Sequence, residues 1–184
     1  MKLFRIFARD ARAAPAERGG ALWFARAPLG LGRHANPALY GCLEASEELL
    51  AAVVEHLARF RGRSLGEDKL SLGGLPVCIA TLGLPDGAPL IDLDDPTVLE
   101  REGLRPSGVV TRDRSRTQAA AAGLFARHPK ALGVRWCSVF EPVWANVTLF
   151  DRAGGAVSVE EVRRLELGDE VLAEAAAFLG LRST

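Results

Sequence analysis

The chain has 184 residues, 48% of them hydrophobic and 25% charged, with 23 basic side chains against 23 acidic ones. That length is about one ordinary domain and buries roughly 70% of its unfolded surface, so a core needs no metal or disulfide to hold it. The apolar fraction excludes intrinsic disorder, and zero net charge argues against a phosphate backbone as the main partner.

Only Lys2, Lys69 and Lys130 are lysines, so the basic charge is mostly arginine. Arginine forks suit carboxylates and phosphates, although a GC-rich coding sequence gives the same bias. Cys42, Cys78 and Cys137 are odd in number and lack CxxC spacing, which fits a reducing compartment and offers no zinc site. His34, His56 and His128 form no metal motif either, so none is expected. The opening MKLFRIFARDAR turns charged by Arg5 and has no secretory apolar region. No window reaches the roughly 18 apolar residues of a membrane helix, and the expected location is cytoplasmic.

In chain order, residues 3–7 alternate well enough for a first strand and residues 21–25 for a second. The following APLGLGRHANP is a loop, because Gly and Pro punctuate it throughout. Residues 39–43 read as a short strand running into Ser46, an N-cap for a helix over about 47–61 that Gly62 ends. Leu49, Leu50, Val53, Val54, Leu57 and Phe60 share one arc of that helix. Strands are expected at 76–82 and 89–92, with a short helix over 94–103 carrying Pro96 in its first turn. A longer helix spans 114–127, before Pro129. Strands at 133–139 and 145–150 flank the turn at Glu141–Pro142, and a strand or strand–helix mixture follows Gly155. The last helix runs from near Asp169 to Leu179, with Gly180 as its stop. Strands outnumber helices without regular alternation, which predicts one compact α+β domain over residues 1–184, a mixed β core flanked by helices.

Four positions stand out as chemistry. Glu55 lies opposite the large-apolar arc, beside Ala51 and Ala52; it is either a solvated partner for Arg59 or a carboxylate facing a cleft. Arg33 lies in a loop of little side-chain bulk, open to a ligand's phosphate oxygens. Arg5 stands inside a strand, facing either water or a polar cleft. Ser138 follows a strand near a turn; with no GxSxG elbow around it, a positioning hydroxyl fits better than a nucleophile. GLGRHA lacks the third glycine of a dinucleotide fingerprint. No basic stripe suggests DNA binding.

Taken in order across residues 3–151, these landmarks resemble the RES domain family, named for its Arg, Glu and Ser. LFRIF resembles the opening strand, with Arg5 at its basic position. GRHANP places Arg33 at the signature Arg, and LYGCLEASEELLAAVVEHL places Glu55 at the signature Glu. RTQAAAAGLF, then GVRWCSVFEPVWANVTLFD, places Ser138 at the signature Ser, with Asn146 in the next strand. Two positions depart from the pattern: Glu44 where the family usually has Tyr, and His34 where an aromatic follows the Arg. Tyr40 is the available substitute. Residues 152–184 add a C-terminal strand and helix.

The resemblance implies a fold akin to ADP-ribosyltransferase toxins, NAD as the substrate, and a toxin paired with a helix-turn-helix antitoxin protein. It implies Glu55, Arg33 and Ser138 as catalytic residues, with Arg5, Arg33, Tyr40 and Asn146 binding NAD. The implied reaction is cleavage of the nicotinamide–ribose bond by water or phosphate. ADP-ribosyl transfer to a protein and a non-catalytic binding module are the alternatives.

Overall fold

The computed structural model describes residues 1–26 and 32–183, so the Ala27–Leu31 part of the expected loop lies outside the described residues. The strands are β1 (Lys2–Ala8), β2 (Cys42–Ser46), β3 (Ser64–Leu65), β4 (Ser71–Leu72), β5 (Leu75–Gly83), β6 (Leu90–Asp92), β7 (Gly133–Cys137), β8 (Ala145–Phe150), β9 (Ser158–Arg164) and β10 (Arg182–Ser183). The α-helices are α1 (Leu49–Leu57), α2 (Pro96–Glu102), α3 (Pro106–Val109), α4 (Arg114–Arg127) and α5 (Glu170–Leu179). Eight of the strands form a mixed sheet in the order β4-β5-β1-β2-β8-β7-β6, with β9 also on β5; β10 and β3 pair separately. The fold class is α+β, as the sequence predicts.

Contacts group the chain into two units. The first comprises Met1–Trp23, Ala45–Leu84 and Ser158–Thr184, the second Phe24–Glu44 and Pro85–Val157.

In the first unit, β1 pairs antiparallel with β5, Leu3 opposite Leu82 and Phe7 opposite Cys78. The other edge of β5 takes β9, with a bulge between Thr81 and Leu82. Along β1, Leu3, Arg5 and Phe7 are the buried residues, so the basic residue in the alternation points with the apolar ones. Helices α1 and α5 pack on each other, and α1 packs on β1. Helix α1 buries Ala51, Ala52, Val53, Val54, His56 and Leu57, and no side chain caps its N-terminus; packing rather than local signals holds a helix this short. It ends at Leu57 instead of 61, tightening into a 3-10 turn over Ala58–Phe60. Ser46 is not its N-cap, because Ser46 is buried in β2 opposite Phe4 and Glu48 occupies the cap position. At the far end of the chain, α5 stops at Gly180, whose φ of 66° is left-handed.

Residues 21–25 do not form the expected strand. The Leu22 amide donates to Pro15 O and the Trp23 amide to Gly20 O, and the carbonyls of Ala21 and Trp23 accept from Arg5. The backbone is thus engaged in a turn, and Ala25 makes only an isolated bridge to Cys42.

In the second unit, β6 pairs parallel with β7, and β7 antiparallel with β8. A core of Tyr40, Leu93, Leu99, Leu124, Trp136 and Phe150, among others, lies against them. Helices α2 and α4 begin at Asp95 and Asp113, whose carboxylates accept from the amides of Thr97 and Ser115. The short α3 between them escaped the sequence reading. The strand expected over 39–43 begins three residues later, because the amides of Leu39 and Tyr40 both donate to Asn36 O and close a turn.

Candidate active site

The loop bearing Arg33 is fastened to the start of α4. Thr117 Oγ1 donates to Arg33 O, and Gln118 Nε2 donates to Gly32 O at 2.9 Å. Asn36 Nδ2 reaches Gln118 O at 2.9 Å and Tyr40 Oη at 2.8 Å, while the Tyr40 hydroxyl donates to His34 O at 2.6 Å. The described Gly32–Asn36 part of the loop is therefore fixed by hydrogen bonds to backbone carbonyls.

Tyr40, expected to bind NAD, is fully buried, its ring packed between Phe125 and Phe150. Burial pushes its hydroxyl up to about 12, so it stays a donor. Its hydroxyl therefore acts on the loop, not on a molecule outside the core.

The Arg33 guanidinium is equally constrained. Its Nη1 donates to Val109 O at 3.0 Å and Thr111 O at 2.8 Å, and its Cζ stands 4.6 Å from the Trp136 ring centroid. That contact is a cation–π arrangement, worth about 0.5–2 kcal/mol. Trp136 sits in β7 opposite Asn146 of β8. Paired residues share a face and alternate residues repeat it, which puts Val134, Trp136, Asn146 and Thr148 on one face of the hairpin. Thr148 Oγ1 accepts from Trp136 Nε1 at 3.3 Å and contacts His34 Nδ1 at 2.9 Å. Arg33 and its neighbour therefore rest on the β7–β8 face.

Ser138 lies just beyond β7. Its amide donates to Trp144 O, and its Oγ accepts from the Phe140 amide at 3.1 Å, shaping the turn back to β8. Both Ser138 and Asn146 are buried. The structure thus gathers Arg33, Ser138 and Asn146 around one hairpin. It also needs a glycine there: a Cβ on Gly133 would stand 2.3 Å from Thr148 O.

The first unit carries the other two predicted site residues. Arg5 is buried, and its guanidinium donates from Nη1 to Ala21 O and from Nη2 to Trp23 O at 3.0 Å, with the Phe7 ring 5.3 Å away. Of the two expectations for Arg5, water or a polar cleft, its burial excludes water. Glu55 is half-buried on α1 between the buried Val54 and His56. Arg59, its expected helix partner, donates from Nε to His56 O at 2.9 Å and from Nη2 to His56 Nδ1 at 3.2 Å.

Residues 2–171 match the RES domain family. The chain belongs to that family. In three dimensions it is similar to a chain of the crystal structure of the M.tuberculosis MbcT–MbcA toxin–antitoxin complex, with a TM-score of 0.59 and 19% sequence identity over 98% of this chain and 88% of that one. At that identity the likeness concerns the fold alone. No curated protein matches the sequence.

Within this RES domain, Glu44 is exposed in β2 and lies against the Arg33 loop: a Cβ on Gly32 would meet its Oε1 at 2.8 Å. A carboxylate there gives the loop a negative neighbour where a tyrosine is usual. The sequence reading missed Trp136, Thr117, Gln118 and Thr148 as the holders of the loop. Thr117 and Gln118 fall inside the RTQ stretch that the resemblance quotes, and Trp136 inside GVRWCS; a polar pair opening an Ala-rich helix was the available signal. Among the described residues, no cluster of His, Cys, Asp or Glu could hold a metal ion, and no helix is long and apolar enough to cross a membrane.

Proposed function

We propose that this RES domain protein cleaves the nicotinamide–ribose bond of NAD, releasing nicotinamide as water or phosphate attacks the ribose. The observation that carries the reading is the mounting of Arg33, a guanidinium held by two backbone carbonyls and an indole face in a chain that matches the family over residues 2–171. A pre-oriented guanidinium suits a pyrophosphate, whose oxygens match its fork.

Cleavage passes through an oxocarbenium-like ribose, as in glycoside hydrolysis. The nicotinamide of NAD carries a positive charge and leaves neutral, so the bond breaks without a general acid. Glu55 is assigned to stabilise the positive charge that develops on the ribose. Arg33 holds the pyrophosphate. Ser138 holds the nicotinamide amide or the ribose by hydrogen bonding, and Asn146 supports it from the neighbouring strand. Arg5 and Tyr40 serve the site by fixing backbone.

The protein acts, in this reading, as the toxin of a pair whose antitoxin is a helix-turn-helix protein. The similarity to a chain of a toxin–antitoxin complex supports that assignment.

The test is nicotinamide release from NAD, followed by chromatography on protein freed of any co-purifying partner. Wild type should release nicotinamide, and a folded Glu55→Gln should be slower by about 100-fold or more, the scale of losing a transition-state charge partner. Undiminished turnover by Glu55→Gln would remove Glu55 from the mechanism. Label from NAD appearing on a protein rather than in solution would redirect the reading to ADP-ribosyl transfer. Silence from the wild type would leave a binding module.

A further inference from the structure

Strand β9 is an outer edge of the sheet in the first unit. Among the described residues it pairs with β5 alone, so one row of its backbone groups meets no other strand. The Leu165 amide donates to Val77 O at 3.0 Å, and opposite pairs of an antiparallel ladder alternate between those that exchange hydrogen bonds and those that do not. Arg163 opposite Ile79 and Glu161 opposite Thr81 therefore bond inward. Val162 opposite Ala80 and Arg164 opposite Cys78 turn their N–H and C=O groups outward. The ladder is regular over this stretch, since the bulge between Thr81 and Leu82 places its extra residue at Glu160.

The side chains along this edge run Glu160, Glu161, Val162, Arg163, Arg164. Read backwards, every charge changes sign about Val162. Glu160, Glu161 and Arg164 are exposed, and among the described residues no ion pair engages either carboxylate. Arg163 reaches Asp169 and Arg164 O through Nη1, one nitrogen of its fork; that carbonyl has a second lone pair to offer. Arg164 stands 3.5 Å from Glu67 in a loose pair whose two side chains are both more than half exposed.

We infer that β9 pairs antiparallel with β9 of a second copy of this chain, about a two-fold axis at Val162. Backbone and charge together select that register. Outward-facing residues must meet, so Val162 can stand opposite position 160, 162 or 164 of the other copy. Opposite 160 it would bring Glu161 onto Glu161, and opposite 164 Arg163 onto Arg163, like charges that destabilise a pair of strands. Opposite Val162, Glu161 meets Arg163 and Glu160 meets Arg164, and the two-fold axis makes each pair twice. Parallel strands in register would set Glu on Glu and Arg on Arg. Charges on an edge normally block pairing; these block every register but one. The partner is a copy of the same chain because one patch serves both sides, as an isologous interface requires. The inference does not depend on which reaction the domain performs.

Sedimentation velocity on the purified chain, from micromolar to submillimolar concentration at low salt, reads the mass. The 19.7 kDa chain should approach twice that mass as concentration rises. Glu160→Arg and Arg164→Glu, each alone, turn two opposite-charge pairs into two like-charge pairs and should weaken the dimer about 10-fold or more. Mixed in equal amounts, the two variants should regain wild-type association, because the mixed dimer has opposite charges at both 160–164 pairs. Val162→Cys should cross-link under mild oxidation where the wild type and Ser158→Cys do not, since a hydrogen-bonded pair holds its Cα atoms about 5.5 Å apart, within disulfide reach. A monomer throughout the range would overturn the inference. A dimer indifferent to both charge reversals would overturn β9 as the interface, and a mixture that stays as weak as its components would overturn the register. If a charge reversal does not fold, the Val162→Cys cross-link decides alone.

Discussion

His34 and His56 together predict a fold that weakens in mild acid. His56 is 8% exposed on α1, one residue after Glu55, and burial, then the charge of Arg59, lowers its pKa from 6.5 to about 4. His34 falls from the same ordinary value to about 3. Both are bases held neutral by the fold. Above pH 6.5 neither state takes up a proton and neither histidine affects stability. As pH drops below 6.5, the unfolded chain binds protons that the fold refuses, so stability falls until pH reaches the folded values near 4 and 3. At pH 5 each histidine withdraws about 2 kcal/mol, from about 1.5 pH units at 1.36 kcal/mol per unit, and the pair about 4 kcal/mol. Against a total of about 5–15 kcal/mol that is a large share. Urea unfolding at pH 7.5 and pH 5.0 reads it directly, and for an m-value of about 2 kcal/mol/M the midpoint should fall by about 2 M. The carboxylates that the fold holds low, such as Asp151 and Asp169, have ordinary values of 3.8 and act mainly below this window. His56→Leu separates the contributions. It should halve the pH dependence, and near neutrality it removes a buried Nε2 that has no hydrogen-bond partner, so stability at pH 7.5 should hold or rise. An unchanged midpoint between the two pH values, or undiminished pH dependence in His56→Leu, would refute the reasoning.

Three further outcomes follow from the loop and its mounting. Tyr40→Phe removes the donor to His34 O and the acceptor for Asn36; calorimetry should show a loss of about 1–2 kcal/mol, the scale of a buried carbonyl left without its hydrogen bond. Trp136→Leu takes away the indole under Arg33 and should raise KM for NAD by about 3- to 30-fold, more than it lowers kcat, with Trp136→Phe restoring most of the difference. Glu44→Gln removes a negative charge beside Gly32 and should lower KM for NAD severalfold, an effect that added salt diminishes in the wild type.

Elements whose signals are local were legible in the sequence. Strand β1 declared itself by alternation and β5 as an apolar run, α4 by its bounds, and α5 by Asp169 before it and Gly180 after it. Residues 21–25 mislead for a physical reason: what denies them a strand is the guanidinium of Arg5, 16 residues from Ala21, and no window of the sequence contains both as partners. The same limit applies to Ser46, whose capping ability is irrelevant once β1 recruits it as a strand residue. Helix α3 has four residues, too few for any period to register.

The site divides along the same line. Arg33, Glu55 and Ser138 are candidates that stand out in the sequence as residue types in an ordered set of motifs, whereas the groups that aim Arg33 do not. Thr117 lies 84 residues from the carbonyl it holds, and Thr111 lies 78 residues from the guanidinium it accepts. Tyr40 marks the boundary: an aromatic next to a ligand loop reads as a ligand contact, yet its hydroxyl is the peg for His34 O and its ring belongs to the core. Reactive groups announce themselves by type, while the groups that orient them are ordinary Thr, Gln, Tyr and Trp, chosen for reach across the fold. In this RES domain those ordinary residues converge on one backbone segment, Gly32–His34, from α4, the Tyr40 turn and the β7–β8 hairpin. Three independent elements must therefore be in place before Arg33 has a fixed direction, which makes its orientation a property of the folded second unit and not of the loop sequence.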